Sequence, residues 1–209
     1  MKHISASQFR AHVADVLARD EAQGGVLSDQ APIRDPAWHD GEVSDLKDAA
    51  VLIPIVDRGG EAFVILTLRT GHLPSHAGQI AFPGGKLDEG DENAIAAALR
   101  EAQEEIGLKP EFVDVFGQLR PYVSATGYRI FPVLGAVRDG FELVANPCEV
   151  ENIFEVPLRF LMDPGNHQRK VGEWRGKRRE YFAMPYEDHY IWGVTAGILH
   201  NLYETVCSS

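Results

Sequence analysis

Three glutamates at the end of one helical stretch carry the clearest chemical signal in this chain. Glu101, Glu104 and Glu105 stand at i, i+3 and i+4, so a helix would gather their side chains into one patch. Like charges at that spacing oppose the helix by roughly 0.2–0.5 kcal/mol per pair. Glu104 and Glu105 also fall in the last turn, where the helix dipole disfavours anions by about 0.3–1 kcal/mol. In sequence, only Arg100 and Lys109 are near enough to relieve this. A solvated charged face is the ordinary explanation of a glutamate cluster. A cluster that works against two helix rules at once is better explained by a cation. Convergent carboxylates suit Mg²⁺ or Mn²⁺, hard ions that bind oxygen and keep waters.

The elements that must position these residues can be read on either side. Pro83-Gly84-Gly85 predicts a tight turn where backbone can approach a ligand closely. Asp91 is expected to cap the helix, Ile95, Leu99, Ala102 and Ile106 to form its buried stripe, and Gly107 to stop it. Ahead of it, residues 49–56 and 61–69 read as two strands joined at Asp57-Arg58-Gly59-Gly60, apolar enough to be buried on both faces. Residues 71–78 form a loop, and 79–82 a short strand leading into the helix.

Beyond the helix, residues 111–119 and 129–138 read as strands flanking PYVSATGY, a polar turn suited to lining a pocket. Residues 149–156 follow as a strand or turn, and Pro157 opens a short helix through Leu161. Residues 168–175 and 179–185 pair around Gly176-Lys177. The last helix, 193–206, turns Val194, Ile198, Leu202 and Val206 inward. At the other end a helix over 5–19, capped by Ser5 or Ser7, precedes an irregular connection, 20–48. Residues 1–48 are thus expected to pack on a domain spanning 49–209. The order of elements fits an α/β sandwich with a mixed sheet between helices.

Gly85, Asp91, Arg100-Glu101, Glu104-Glu105 and Gly107-Leu108 together resemble the Nudix box, G-x5-E-x7-R-E-U-x-E-E-x-G-U, with U aliphatic. Asp91 stands where the box has Glu, eight residues rather than seven separate it from Arg100, and Ala102 is a weak U. The preceding stretch, LTLRTGHLPSHAGQIAFPGG at 66–85, is similar to the signature of the coenzyme A diphosphatase branch, in which Asp and the longer spacer are common. Many members of that branch carry Arg four residues before Gly78, where this chain has Pro74. Weaker similarity continues in SATGY, 124–128, and IWG, 191–193.

The resemblance implies a Nudix-type α/β/α sandwich and a metal-dependent hydrolase. Its expected substrate is coenzyme A or a thioester of it, cleaved at the diphosphate to 3′,5′-ADP and 4′-phosphopantetheine or the acyl form. The alternatives are another nucleoside diphosphate derivative (ADP-ribose, NADH or a nucleoside triphosphate) or a Nudix-fold binding module without chemistry. It further implies Glu101, Glu104 and Glu105 as metal ligands, with the Gly85 carbonyl beside them. Arg100 is expected to orient a carboxylate, and an intrahelical ion pair is compatible with that. Arg69 and Gly84 are expected to serve the substrate, although Arg69 reads equally as an edge arginine. The general base is a box glutamate or one on a distant loop. Glu149 and Glu151 are the loop candidates, Glu149 the better, and each also has an ordinary structural reading. His76 reads as a solvated histidine, and the basic run Arg169 to Arg179 as a solvated hairpin.

The 209 residues, 44% of them apolar, allow one sizeable domain. Cys148 and Cys207 are too few for a disulfide framework and point to reduced thiols in a cytoplasm. No apolar run approaches a membrane span, and the first twenty residues lack the apolar core of a signal peptide. A net charge of −11 argues against nucleic acid as a partner. A small polyanionic substrate remains compatible, with metal ions to neutralise the site. So is a homodimer.

Overall fold

Apolar side chains at both alternating sets of positions in 49–56 leave that segment one stable place, between two layers. The computed structural model describes residues 4–22, 33–37, 45–73, 76–174 and 176–207. It puts this segment mid-sheet as β2 (Lys47–Arg58). Ala49, Ile53 and Ile55 enter one apolar core, and Ala50, Leu52 and Val56 the other. The antiparallel β3 (Glu61–Arg69) divides in the same way, with Val64 and Leu66 on the first side and Ile65 on the second. The turn between them is only Gly59-Gly60, both at positive φ, because Asp57 and Arg58 still pair across the ladder. The Asp57 carboxylate accepts from the Gly60 N–H at 2.7 Å and closes it.

Seven more strands complete the sheet. They are β1 (Ile33–Arg34), β4 (Ile80–Ala81), β5 (Gly84–Lys86), β6 (Val113–Gln118), β7 (Tyr122–Val123), β8 (Tyr128–Val137) and β9 (Val150–Pro157). The main path runs β1-β7-β8-β2-β3-β4, while β5 adds to β2, β6 to β8 and β9 to β3. The β2–β8 and β1–β7 pairs are parallel and the others antiparallel, so the sheet is mixed. Pro54 sits inside β2 where β2 changes partner, from β3 at Ile55–Arg58 to β5 at Ala49–Val51. The missing N–H of proline falls in that gap and breaks no ladder bond. The change of partner opens the sheet for the two glycines of β5.

One face is covered by α2 (Ala94–Ile106), through Ala97, Ala98, Ala102 and Ile106. The opposite face carries α1 (Ala6–Ala22), α3 (Leu158–Leu161) and α4 (Gly193–Cys207). The result is an α/β/α sandwich. Phe9 and Val13 of α1 are fully buried, and Ile4 accepts a bond from the Ala62 N–H. A second sheet, β10 (Gln168–Trp174), β11 (Lys177–Tyr186) and β12 (His189–Trp192), packs Phe182, Met184 and Ile191 into the same core as α4. No helix among the described residues is long and apolar enough to cross a membrane.

Three local expectations change. Residues 111–119 do not begin as strand, because Pro110 starts a turn of 3-10 helix through Phe112. Lys177 is not in the hairpin turn; it pairs with Trp174, leaving Gly176 at φ 74°. The connection 20–48 is not wholly irregular, since Ile33–Arg34 pairs with Tyr122–Val123. Residues 23–32 and 38–44 of that connection, and Pro74, lie outside the described residues.

Candidate active site

Helix α2 and strand β5 meet where the glutamates are. Gly85 has no room for a side chain, because a Cβ there would overlap the Glu101 carboxylate. At Gly84 a Cβ would strike the backbone of Ala50 and Val51 on β2. Gly84 is therefore required by its close approach to the sheet, whereas Gly85 lets the Glu101 carboxylate lie against the backbone in a place that a Cβ could take only by moving that side chain.

Asp91 does not cap the helix. That role belongs to Asn93, whose Oδ1 accepts from the Ala96 N–H at 3.0 Å. Asp91 instead grips Arg100 in a two-pronged pair, Nε to Oδ1 at 3.0 Å and Nη2 to Oδ2 at 2.9 Å. These bonds hold its carboxyl below the usual carboxylate range. The same guanidinium reaches Glu101 at 3.0 Å, Glu104 at 3.2 Å and the Lys86 carbonyl at 3.2 Å. Gly107 ends the helix at φ 70°, its N–H returned to the Gln103 carbonyl.

Glu105 points elsewhere. Only 1% exposed, it accepts from Arg69 Nη1 at 3.2 Å and from the Gly84 N–H at 3.2 Å. Burial pushes its carboxyl up to about 7, against the pull of those two donors. Glu101 is also raised, chiefly by burial and despite Arg100. Glu104 is the open member, its side chain 56% exposed. Arg69 and Glu105 are 36 residues apart in sequence, so their contact relieves the cluster in a way that local spacing could not reveal.

Glu149 stands on the turn before β9, where its carbonyl accepts from the Thr70 N–H at 2.9 Å. Its charge is felt by both Glu101 and Glu105. Glu151 is exposed on β9. Among the described residues, no three carboxylate, histidine or thiol groups already converge as a ready ligand set. The reason is visible: Arg100 engages Glu101 and Glu104 together, while Glu105 faces Arg69. The donor chemistry nonetheless fits a hard cation. Two carboxylates are raised by burial, and each oxygen of Glu105 keeps a second lone pair.

Beside Gly84 and Gly85 lies a cavity of about 260 Å³. Arg69, His76 and Lys86 lie along it, as do Ile198 of α4 and Trp192 of β12. His76, at φ 56°, bonds Gln79 Oε1 at 2.8 Å. The basic run is not wholly a solvated hairpin. Arg169 lies over the Phe182 ring, and Arg179 is buried and donates to the Ala37 carbonyl.

Compared with known protein families, residues 46–174 match the NUDIX domain. The chain belongs to the Nudix family. An uncharacterized Nudix hydrolase, NudL, of Citrobacter koseri is 42% identical over 162 residues, 78% of this chain and 84% of that one. The NudL of Escherichia coli K12 is 43% identical over 161 residues, 77% and 83% of the two chains. Among solved structures, a MutT protein from Methanosarcina mazei Go1 overlaps 58% of this chain and 83% of its own, at TM-score 0.46 and 20% identity. The protein is accordingly a Nudix hydrolase. Enzymes of this family act on pyrophosphate bonds and generally use divalent metal ions.

Proposed function

We propose that this Nudix hydrolase cleaves the diphosphate bond of coenzyme A or its thioesters, releasing 3′,5′-ADP and 4′-phosphopantetheine or the acyl form. The observation that carries the reading is the contact between Arg69, from the coenzyme A-type stretch, and Glu105, from the box. That contact, with Gly84 on the second oxygen, makes the two motifs one physical unit. A substrate reaching Arg69 is then beside the acidic cluster.

Glu101, Glu104 and Glu105, with the Gly85 carbonyl, would hold Mg²⁺ or Mn²⁺. When bound, such an ion lowers the pKa of a coordinated water and neutralises phosphoryl oxygens. Arg100 fixes the Glu101 carboxylate against Gly85 and leaves the exposed Glu104 able to change partner. Arg69 presents its remaining N–H groups to the diphosphate, and the Gly84–Gly85 backbone lets those oxygens approach. Glu149, facing Glu101 and Glu105, takes the proton of the attacking water. Residues 49–209 are the hydrolase domain, on which the described N-terminal elements α1 and β1 pack, acting on a small molecule in the cytoplasm, with a homodimer compatible with the fold.

The test is a panel of coenzyme A, acyl-coenzyme A, ADP-ribose, NADH and nucleoside triphosphates, scored for released phosphopantetheine or the corresponding monophosphates. Coenzyme A or its thioesters should give the highest kcat/KM. A clear preference for ADP-ribose or a nucleoside triphosphate would refute the reading.

A further inference from the structure

Strand β9 departs from regular pairing next to the acidic cluster. Leu68 pairs with Asn152 but Arg69 with Val150, so Glu151 is an extra residue with no partner on β3. In a regular ladder Glu151 would stand opposite Arg69, on the face that α2 covers. The bulge gives that place to Val150, buried in the core beneath α2, and leaves Glu151 exposed. It also brings Glu149 level with Thr70, whose N–H donates to the Glu149 carbonyl.

The turn ahead of the bulge is held from two sides. Asn146 ties it to α2. Its N–H donates to the Glu105 carbonyl at 2.8 Å, and its own carbonyl accepts from the N–H groups of Glu149 at 3.0 Å and Val150 at 2.8 Å. The Asn146 Oδ1 accepts from the Cys148 N–H at 3.1 Å. His72 and Thr70 tie the same turn to the end of β3. The Cys148 carbonyl accepts from His72 Nε2 at 3.1 Å and from Thr70 Oγ1 at 3.4 Å. A carbonyl has no proton to give, so His72 Nε2 carries one here. None of these bonds uses the Glu149 carboxylate, whose charge is felt by both Glu101 and Glu105.

We propose that His72 and Asn146 are positioning residues, holding the 146–149 turn so that the Glu149 carboxylate stays beside the glutamates of α2. This rests on the reading of Glu149 as the general base. A base must sit within hydrogen-bond reach of the water it deprotonates, and a carboxylate on a free loop spends little of its time there. His72 is exposed and Asn146 half-buried, so both can be changed without opening the core.

The test is a pair of double-mutant cycles, His72→Ala with Glu149→Gln and Asn146→Ala with Glu149→Gln, run on the best substrate of the panel above. Each positioning variant alone should lower kcat roughly tenfold, with KM within about twofold and a melting temperature within a few degrees of wild type. His72→Gln returns an N–H donor at similar reach and should restore most of kcat. Glu149→Gln alone should lose roughly a hundredfold or more. In the Glu149→Gln background the positioning substitutions should cost nothing further, because no base is left to hold. A loss that persists in that background, a rise in KM in place of the fall in kcat, or wild-type kcat in either variant overturns the positioning role and leaves Glu149 standing as the base. Near wild-type kcat in Glu149→Gln looks different: it removes the base itself, and the positioning role with it.

Discussion

Two arginines serve the acidic cluster of α2, and their surroundings differ. Arg100 collects Asp91, Glu101 and Glu104 where solvent reaches, with side chains 28%, 6%, 16% and 56% exposed in that order. Arg69 meets one carboxylate, Glu105, whose side chain is 2% exposed. In the first region water screens the bond of the exposed Glu104, so that carboxylate can trade partners at little cost, while Asp91 and Glu101 are largely covered. In the second, removing one partner strands a buried charge. Rearrangement therefore belongs to Glu104 on the Arg100 side, and rigidity to the Arg69 side.

The strongest way to break this contrast is Glu104→Gln, which removes a charge from the mobile side but almost no volume. If Glu104 ligates the ion, several kcal/mol of transition-state stabilisation are lost, roughly a thousandfold or more in kcat. The melting temperature should hardly move, because the side chain is largely exposed. Near wild-type turnover at saturating Mg²⁺ would remove Glu104 from the ligand set.

On the rigid side the largest effect is on stability. Burial raises the folded-state carboxyl of Glu105 to about 7 from its ordinary 4.5. A raised acid contributes stability that is complete below its unfolded pKa and is lost as pH rises through the folded one. Metal-free protein should therefore lose up to about 3 kcal/mol from this group between pH 4.5 and 8. The checking measurement is wild type minus Glu105→Gln, by denaturant unfolding in a chelator at both pH values. A difference that stays flat with pH would remove the burial argument. Added divalent cation should stabilise the wild type at pH 8 by mass action.

Arg69→Ala comes next. One charge-assisted bond is worth about 1.5–3 kcal/mol, or roughly tenfold to a hundredfold in kcat/KM. If Arg69 serves the substrate as well as Glu105, coenzyme A should lose more than ADP-ribose. Equal losses would confine Arg69 to holding Glu105.

These contrasts also mark what the sequence could and could not reveal. Period and punctuation made α2, its Gly107 stop, the central strands and the closing helix legible, because those signals are local. The run of glutamates along one helix was legible for the same reason, but not that Glu105 turns toward Arg69, so that among the described residues no three of these groups converge. The partner of Glu105 was not, since the sheet brings in Arg69 from 36 residues away. Nor was the lining of the cavity, which draws Val51, Ile130 and Ile198 from three separate elements. Asp91 misled the cap assignment because Asp and Asn both suit it, and a distant guanidinium decided between them.

The smallest predicted effect tests that decision. Asn93→Ala removes the side-chain oxygen that accepts from Ala96 and should cost about 1 kcal/mol. For a chain of this size that is roughly 2–4 °C in melting temperature. Its activity should be nearly unchanged, since Asn93 touches neither arginine in the contacts described. Asp91→Ala leaves the cap in place but releases the two-pronged hold on Arg100. Its main consequence should be on turnover, because a loosened Arg100 no longer fixes Glu101 against Gly85. The two substitutions, two residues apart, should therefore separate cleanly in a paired assay of melting temperature and kcat. A larger melting loss for Asp91→Ala than for Asn93→Ala would mean that the Arg100 cluster is a structural brace, and its contrast with the Arg69 side would disappear.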